Sequence, residues 1–340
     1  MNRILVFFVL LLMQSATPFA FAQAQKVKMD VWHLGDPAAD GIFYLNTGQA
    51  ERCMEPELWK RIKSDRKKAA RADGDDFSLP LFEKDVELLA NVYFVSGRPL
   101  QLAIVGGMSF AESERNVLSN IVALISGIVE ESGGESVRSG TERNPVRNIR
   151  MKNEEEVGFG LEIEQVEDGF AKFRFLHGLE MPPKSAPAAP LRNSRAQALS
   201  KVKSGDVAIG IVLNPSAWSE LFTGNSKDMK VMRRLFRAME TTDIRIRVEG
   251  QIVEVEIKGE FKSPVLAERY SKDLLEALPK VGQMLNGGIL AELKPAISGF
   301  AVTISAKVRL DLAWESMMSM NANMSSANKN PQNDASAPTP

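Results

Sequence analysis

The strictest constraint on this chain is a pair of alternating runs around one glycine. Ile244, Ile246 and Val248 alternate with Arg245, Arg247 and Glu249. After Gly250-Gln251, Val253, Val255 and Ile257 alternate with Glu254, Glu256 and Lys258. Successive side chains of a strand point to opposite faces. Period two on both sides of a glycine turn therefore predicts an antiparallel hairpin with one apolar and one charged face. Arginine and glutamate can pair across the charged face, each pair contributing about 0.2–1 kcal/mol. The apolar face has to be covered, and helices are the expected cover.

The neighbouring segments supply them. Asp206 to Asn214 is an apolar run of buried-strand length, stopped by Pro215. Lys227 to Met239 places Met229, Met232, Leu235, Phe236 and Met239 at helical spacing among Lys230, Arg233, Arg234 and Arg237. A helix is expected from Val265, with Pro264 where a missing N–H does no harm and Leu274, Leu275 and Leu278 inward. Phe300 to Leu310 alternates as a long half-buried strand. The order is β-α-β-β-α-β.

The first half reads the same way. A strand over Gly41 to Asn46 precedes a basic helix over Leu58 to Ala72. A hairpin follows, Val86 to Ser96 and Leu100 to Val105, then a helix over Ala111 to Glu131. Strands at Gly158 to Gln165 and Phe170 to Leu176 flank Asp168-Gly169, a two-residue turn signal. Leu45-Asn46 ends the first strand of one half and Leu213-Asn214 that of the other. Ser109-x(4)-Glu114-Arg115 and Ser263-x(4)-Glu268-Arg269 open the corresponding helices, each serine at an N-cap position. The fold class expected is α+β: a tandem duplication of a β-α-β-β-α-β, ferredoxin-like unit with antiparallel sheets.

The rest of the chain sets compartment and boundaries. Arg3, the apolar run Ile4 to Met13, and Ala20, Ala22 and Ala24 have the order of a secretory signal peptide, cleaved after Ala22 or Ala24. That run is far short of the ~20 residues that span a bilayer, and no transmembrane segment is expected after cleavage. The protein is expected to be exported, to a periplasm or the extracellular space. Cys53 is the only cysteine, so no internal disulfide can form. Formal net charge is -1, which offers nucleic acid no general attraction. The expected boundaries are a signal at 1–22, a first module at 23–180 and a Pro/Ala-rich linker at 181–204. A second module at 205–318 and an unpacked tail at 319–340 complete the chain. Gly-, Ser- and Arg-rich residues 132–153 read as a long loop of the first module.

Catalytic equipment is sparse. The chain has no Gly-x-Gly-x-x-Gly, phosphate loop, Gly-x-Ser-x-Gly or His-Glu-x-x-His, and no cofactor is implied. The expected function is therefore non-catalytic: self-association, or binding of an envelope protein partner, through the sheets. Segments 86–95 and 100–105 are apolar on both faces. Val86, Leu88, Val92, Phe94, Leu102 and Ile104 are the interface candidates. Two alternatives stand beside this reading. A secreted hydrolase would need His33 or His177 within reach of a carboxylate and a hydroxyl. A soft-metal binder would use Met317, Met318, Met320 and Met324, whose thioethers suit Cu(I).

Overall fold

The computed structural model of the protein describes residues 30–72, 86–95, 101–111, 119, 122–123, 126–127, 130–131, 133–141, 145–151, 159–167, 169–177, 193–204, 206–219, 227–272 and 290–316. The expected leader, the stretch 181–190 and the tail from 319 lie outside them.

Among the described residues twelve strands form one sheet. The first half contributes β1 (Gly41–Asn46), β2 (Glu87–Val95), β3 (Gln101–Ser109), β4 (Glu135–Gly140), β5 (Pro145–Met151), β6 (Phe159–Glu167) and β7 (Phe170–His177). The second contributes β8 (Ile209–Leu213), β9 (Met239–Glu249), β10 (Ile252–Phe261), β11 (Leu290–Ser298) and β12 (Ala301–Arg309). Their order in space is β11-β12-β10-β9-β8-β1-β2-β3-β7-β6-β5-β4, with neighbours antiparallel throughout. The protein is mixed α+β, built on one large antiparallel sheet.

Two separate sheets were expected; the halves instead join edge to edge through β1 and β8, with Phe43 opposite Ile211. Each of these strands is short and apolar on both faces, so neither could stand as a solvent-facing edge. Read outward from this pair, the order is β1-β2-β3-β7-β6 on one side and β8-β9-β10-β12-β11 on the other. Backbone contacts match as well. Asn46 N–H donates to the Ala208 carbonyl at 2.7 Å, and Asn214 N–H to the Asp40 carbonyl at 2.8 Å. Phe110 N–H donates to Gly169 and Phe261 N–H to Phe300, both at 2.8 Å.

The connections differ from the ferredoxin-like unit. That unit holds its first two strands parallel, with a third between them. Here β1 and β2 are antiparallel neighbours. The cause is where the helices go. Helices Thr47–Cys53 and Pro56–Ala72 run past the end of the sheet, where Leu58, Trp59 and Ile62 pack with Met54, Leu310 and Trp314. The chain then re-enters beside its exit, Thr47 N–H donating to the Val86 carbonyl at 2.9 Å. A strand that leaves and returns at one end must come back antiparallel.

Three further segments correct the sequence reading. Residues 132–153 contain the hairpin of β4 and β5. Most of β4 is exposed on both faces, so no alternation marks it, yet β5 sends Ile149 into the core. Residues 193–204, expected in the linker, form a helix whose apolar stripe is only Ala198, Leu199 and Val202. β11 carries Pro295 and was not expected as a strand; it lies at the sheet edge, where a missing N–H is tolerated.

The core has two layers. On the first face, Ile42, Tyr44, Leu89 and Val212 pack under helix Asn193–Ser204 and the 3-10 turn Val31–Leu34. On the second, Val92, Ile104, Phe175, Leu161 and Ile149 form one lateral row across five strands. Helix 193–204 approaches so closely that a Cβ on Gly210 would stand 2.2 Å from Val202 Cγ1. Val202 is β-branched and held in the core, so it cannot swing aside. Gly210→Ala is expected to destabilise the protein by about 1–3 kcal/mol, read as a lower denaturant midpoint at unchanged slope.

Candidate binding surfaces

The six residues expected at an interface face the interior. Leu88, Val92, Leu102 and Ile104 are buried in the second-face row, and Val86 is buried with Phe110, Val122 and Ala171. Phe94 is half-buried, its ring edge-on to Trp218 with centroids 5.0 Å apart. Trp218 is fixed in turn by its indole N–H, which donates to the Asp40 carbonyl at 2.7 Å.

The second half treats the same face differently. Ile244, Ile246 and Val248 on β9, Val253, Val255 and Ile257 on β10, and Ile304, Ala306 and Val308 on β12 stand in register across three strands. None of them is buried; all are half-exposed except Ile257, which is 36% exposed. From Thr241 onward on β9, and along β10 and β12, no ionisable residue shares this face. At the end of these strands Phe261, Ala267 and Val302 form a small core with Ala238 and Met239.

The opposite face carries the charge. Glu256 stands opposite Arg245, and Lys307 reaches Glu254 at 2.8 Å, as the alternation implied. The sequence did not reveal how deep this ladder runs. Asp243 and Arg245 are buried and meet at 3.0 Å, and Arg245 also pairs with Glu256. Burial holds the Asp243 carboxyl above its usual range, while Arg245 beside it opposes that shift. Towards the first half, Tyr44 donates to Glu87 and Tyr93 to Asp36, each at 2.7 Å. Burial, and then these carboxylates, hold both phenols well above the ordinary tyrosine value.

The hydrolase residues are not brought together. His33 is exposed and its Nδ1 faces the Asp30 carbonyl. His177 ends β7, on the far side of β3, half-buried and with its pKa lowered by that burial. Among the described residues no group of three histidine, cysteine or acidic side chains could hold a metal ion. Met317, Met318, Met320 and Met324 lie outside the described residues. Cys53 is free and half-buried, 3.4 Å from Gln49 Nε2. The basic helix is tied down: Lys60 meets Glu57 at 2.7 Å, Arg61 meets Glu315 at 2.9 Å, and Trp314 donates to Asp65 at 3.2 Å. No helix among the described residues is long and apolar enough to cross a membrane.

No protein-family model matches the chain, and no curated protein matches it. Crystal structures of TP0453 align with the chain. Crystal form I aligns at TM-score 0.39 and 11% identity over 87% of this chain and 99% of that one. Crystal form III aligns at TM-score 0.35 and 10% identity, over 86% and 100%. A likeness of that size carries no functional argument.

The two phenols make a testable feature. A raised native pKa means that the unfolded chain releases its proton first as pH climbs. The stability they contribute is complete below the ordinary tyrosine value of about 10 and is lost as pH rises through and above it. Unfolding titrations from pH 8 to 11 should show that loss, and Tyr44→Phe with Tyr93→Phe should flatten it.

Proposed function

We propose that the protein is an exported, non-catalytic protein that self-associates through the second face of β9, β10 and β12. The observation that carries this reading is the half-exposed patch around Ile257, Ile244, Val255 and Ile304. Exposed apolar surface that is contiguous and free of charge costs solvation free energy until another apolar surface covers it. A second copy supplies a matching patch by twofold symmetry, with two sheets packing about 10 Å apart. Because the face carries no charge, nothing on it selects an oppositely charged partner. An envelope protein partner on the same face is the related reading.

We also infer that the halves arose by tandem duplication of a five-stranded unit. Its support is the common strand order, and the paired Asn46–Ala208 and Asn214–Asp40 contacts that exchange when the halves are exchanged. The first copy then acquired β4 and β5, which extend its sheet beyond the shared pattern.

The proposal is tested by sedimentation equilibrium of the mature chain at about 10 μM, an ordinary concentration for a specific dimer. The wild type should sediment as a dimer. Ile257→Glu should give a folded monomer, since the site already touches water. A wild-type monomer, or a dimer indifferent to Ile257→Glu, overturns the reading.

A further inference from the structure

A second surface lies at one end of the C-terminal half, away from the middle of the proposed dimer face. Val265 is 74% exposed, Phe300 55% and Ile297 49%. All three stand where β10 and β11 end and β12 begins. They are joined by backbone: Phe261 N–H donates to the Phe300 carbonyl, and Lys262 N–H to the Ala238 carbonyl at 3.0 Å. The second bond ties in helix Lys227–Ala238, whose Met229 and Val231 are also exposed.

The elements that carry these side chains also carry cations. Lys262 Nζ donates to the Arg237 carbonyl at 2.7 Å and lies 3.5 Å from Ser216 Oγ, and both of these partners are neutral. Lys230 and Arg234 are exposed on the helix, and Arg269 lies 5.9 Å from the Tyr270 ring. Among the described residues none of these four has a carboxylate partner within ion-pair distance, whereas Glu268 nearby is engaged by Lys272 at 3.3 Å.

We propose that this end of the molecule docks on an anionic lipid surface. Helix 227–238 combines a basic side with exposed apolar residues, the pattern that suits the headgroup boundary. Val265 projects from the first turn of a helix that begins at Pro264, and Phe300 from the turn between β11 and β12, so the two do not share one flat face. A fluid lipid surface closes around such prongs, whereas a folded protein partner would need a pocket preformed for each. The cations supply attraction to lipid phosphates, and that attraction weakens with salt.

The test uses the mature chain and sedimenting vesicles of phosphatidylglycerol and phosphatidylcholine mixed equally, against phosphatidylcholine alone. The protein should pellet with the anionic vesicles at low salt and be released by high salt. Val265→Ser with Phe300→Ser should lower the bound fraction roughly tenfold, and Lys262→Gln with Arg234→Gln by a similar factor. A second readout does not depend on those variants folding normally. An environment-sensitive dye on Phe300→Cys, in a Cys53→Ser background, should shift to the blue with anionic vesicles. The same dye on Val137→Cys, exposed on the opposite edge strand, should not. No pelleting with anionic vesicles, equal shifts at both dyes, or capture by soluble polyglutamate in place of vesicles would each overturn the proposal.

Discussion

The pairing of β1 with β8 is the contact on which the architecture depends. Each half alone would end in a short strand, apolar on both faces and open to water. Such an edge invites pairing with any available backbone. Joining the two edges satisfies both at once and makes one sheet of two halves. Asp40 then serves both sides of the seam: its carboxylate accepts from Phe94 N–H at 2.9 Å and from the Asn214 amide at 3.0 Å, and its carbonyl from Trp218. The outer edges need no such partner. β4 is polar and β11 carries Pro295, two established ways of blunting an edge.

A sheet of this width has two faces to settle. At its centre both are apolar, and helix 193–204 with the 31–34 turn covers one of them. Towards the C-terminal edge the first face becomes an ion-pair ladder that water can share. The second face stays apolar, but its side chains are less deeply buried than those across the seam. That asymmetry distinguishes two otherwise matching halves, and the proposed self-association follows from it. The exposed side chains of Val265 and Phe300 are a separate departure, because scattered apolar side chains are ordinary on surfaces while a group of them on elements carrying cations with no ion-pair partner among the described residues is not.

Much of this architecture was legible in the residues. The Ile244–Ile257 alternation placed β9, its turn at Gly250 and β10 correctly, and the Arg–Glu pairing across them is present. Asp168-Gly169 marked the β6–β7 turn, with Gly169 at φ 84. What escaped was long-range or weakly patterned. Helix 193–204 has too narrow an apolar stripe to stand out from the proline-rich stretch before it. β4 has no buried face to impose alternation, and β11 is interrupted by its proline. The β1–β8 junction joins strands from opposite halves, which no local pattern encodes. The apolar character of segments 86–95 and 100–105 was legible too, but its destination was not: those side chains fill the chain's own core.

The central claim is that the halves are one sheet and not two domains on a tether. A protease site inserted within residues 181–190 allows the connection to be cut in the folded protein. Gel filtration of the cleaved product without denaturant should show both fragments eluting together, and melting should remain one cooperative transition. Fragments that separate, or that melt independently, would contradict a shared β1–β8 seam.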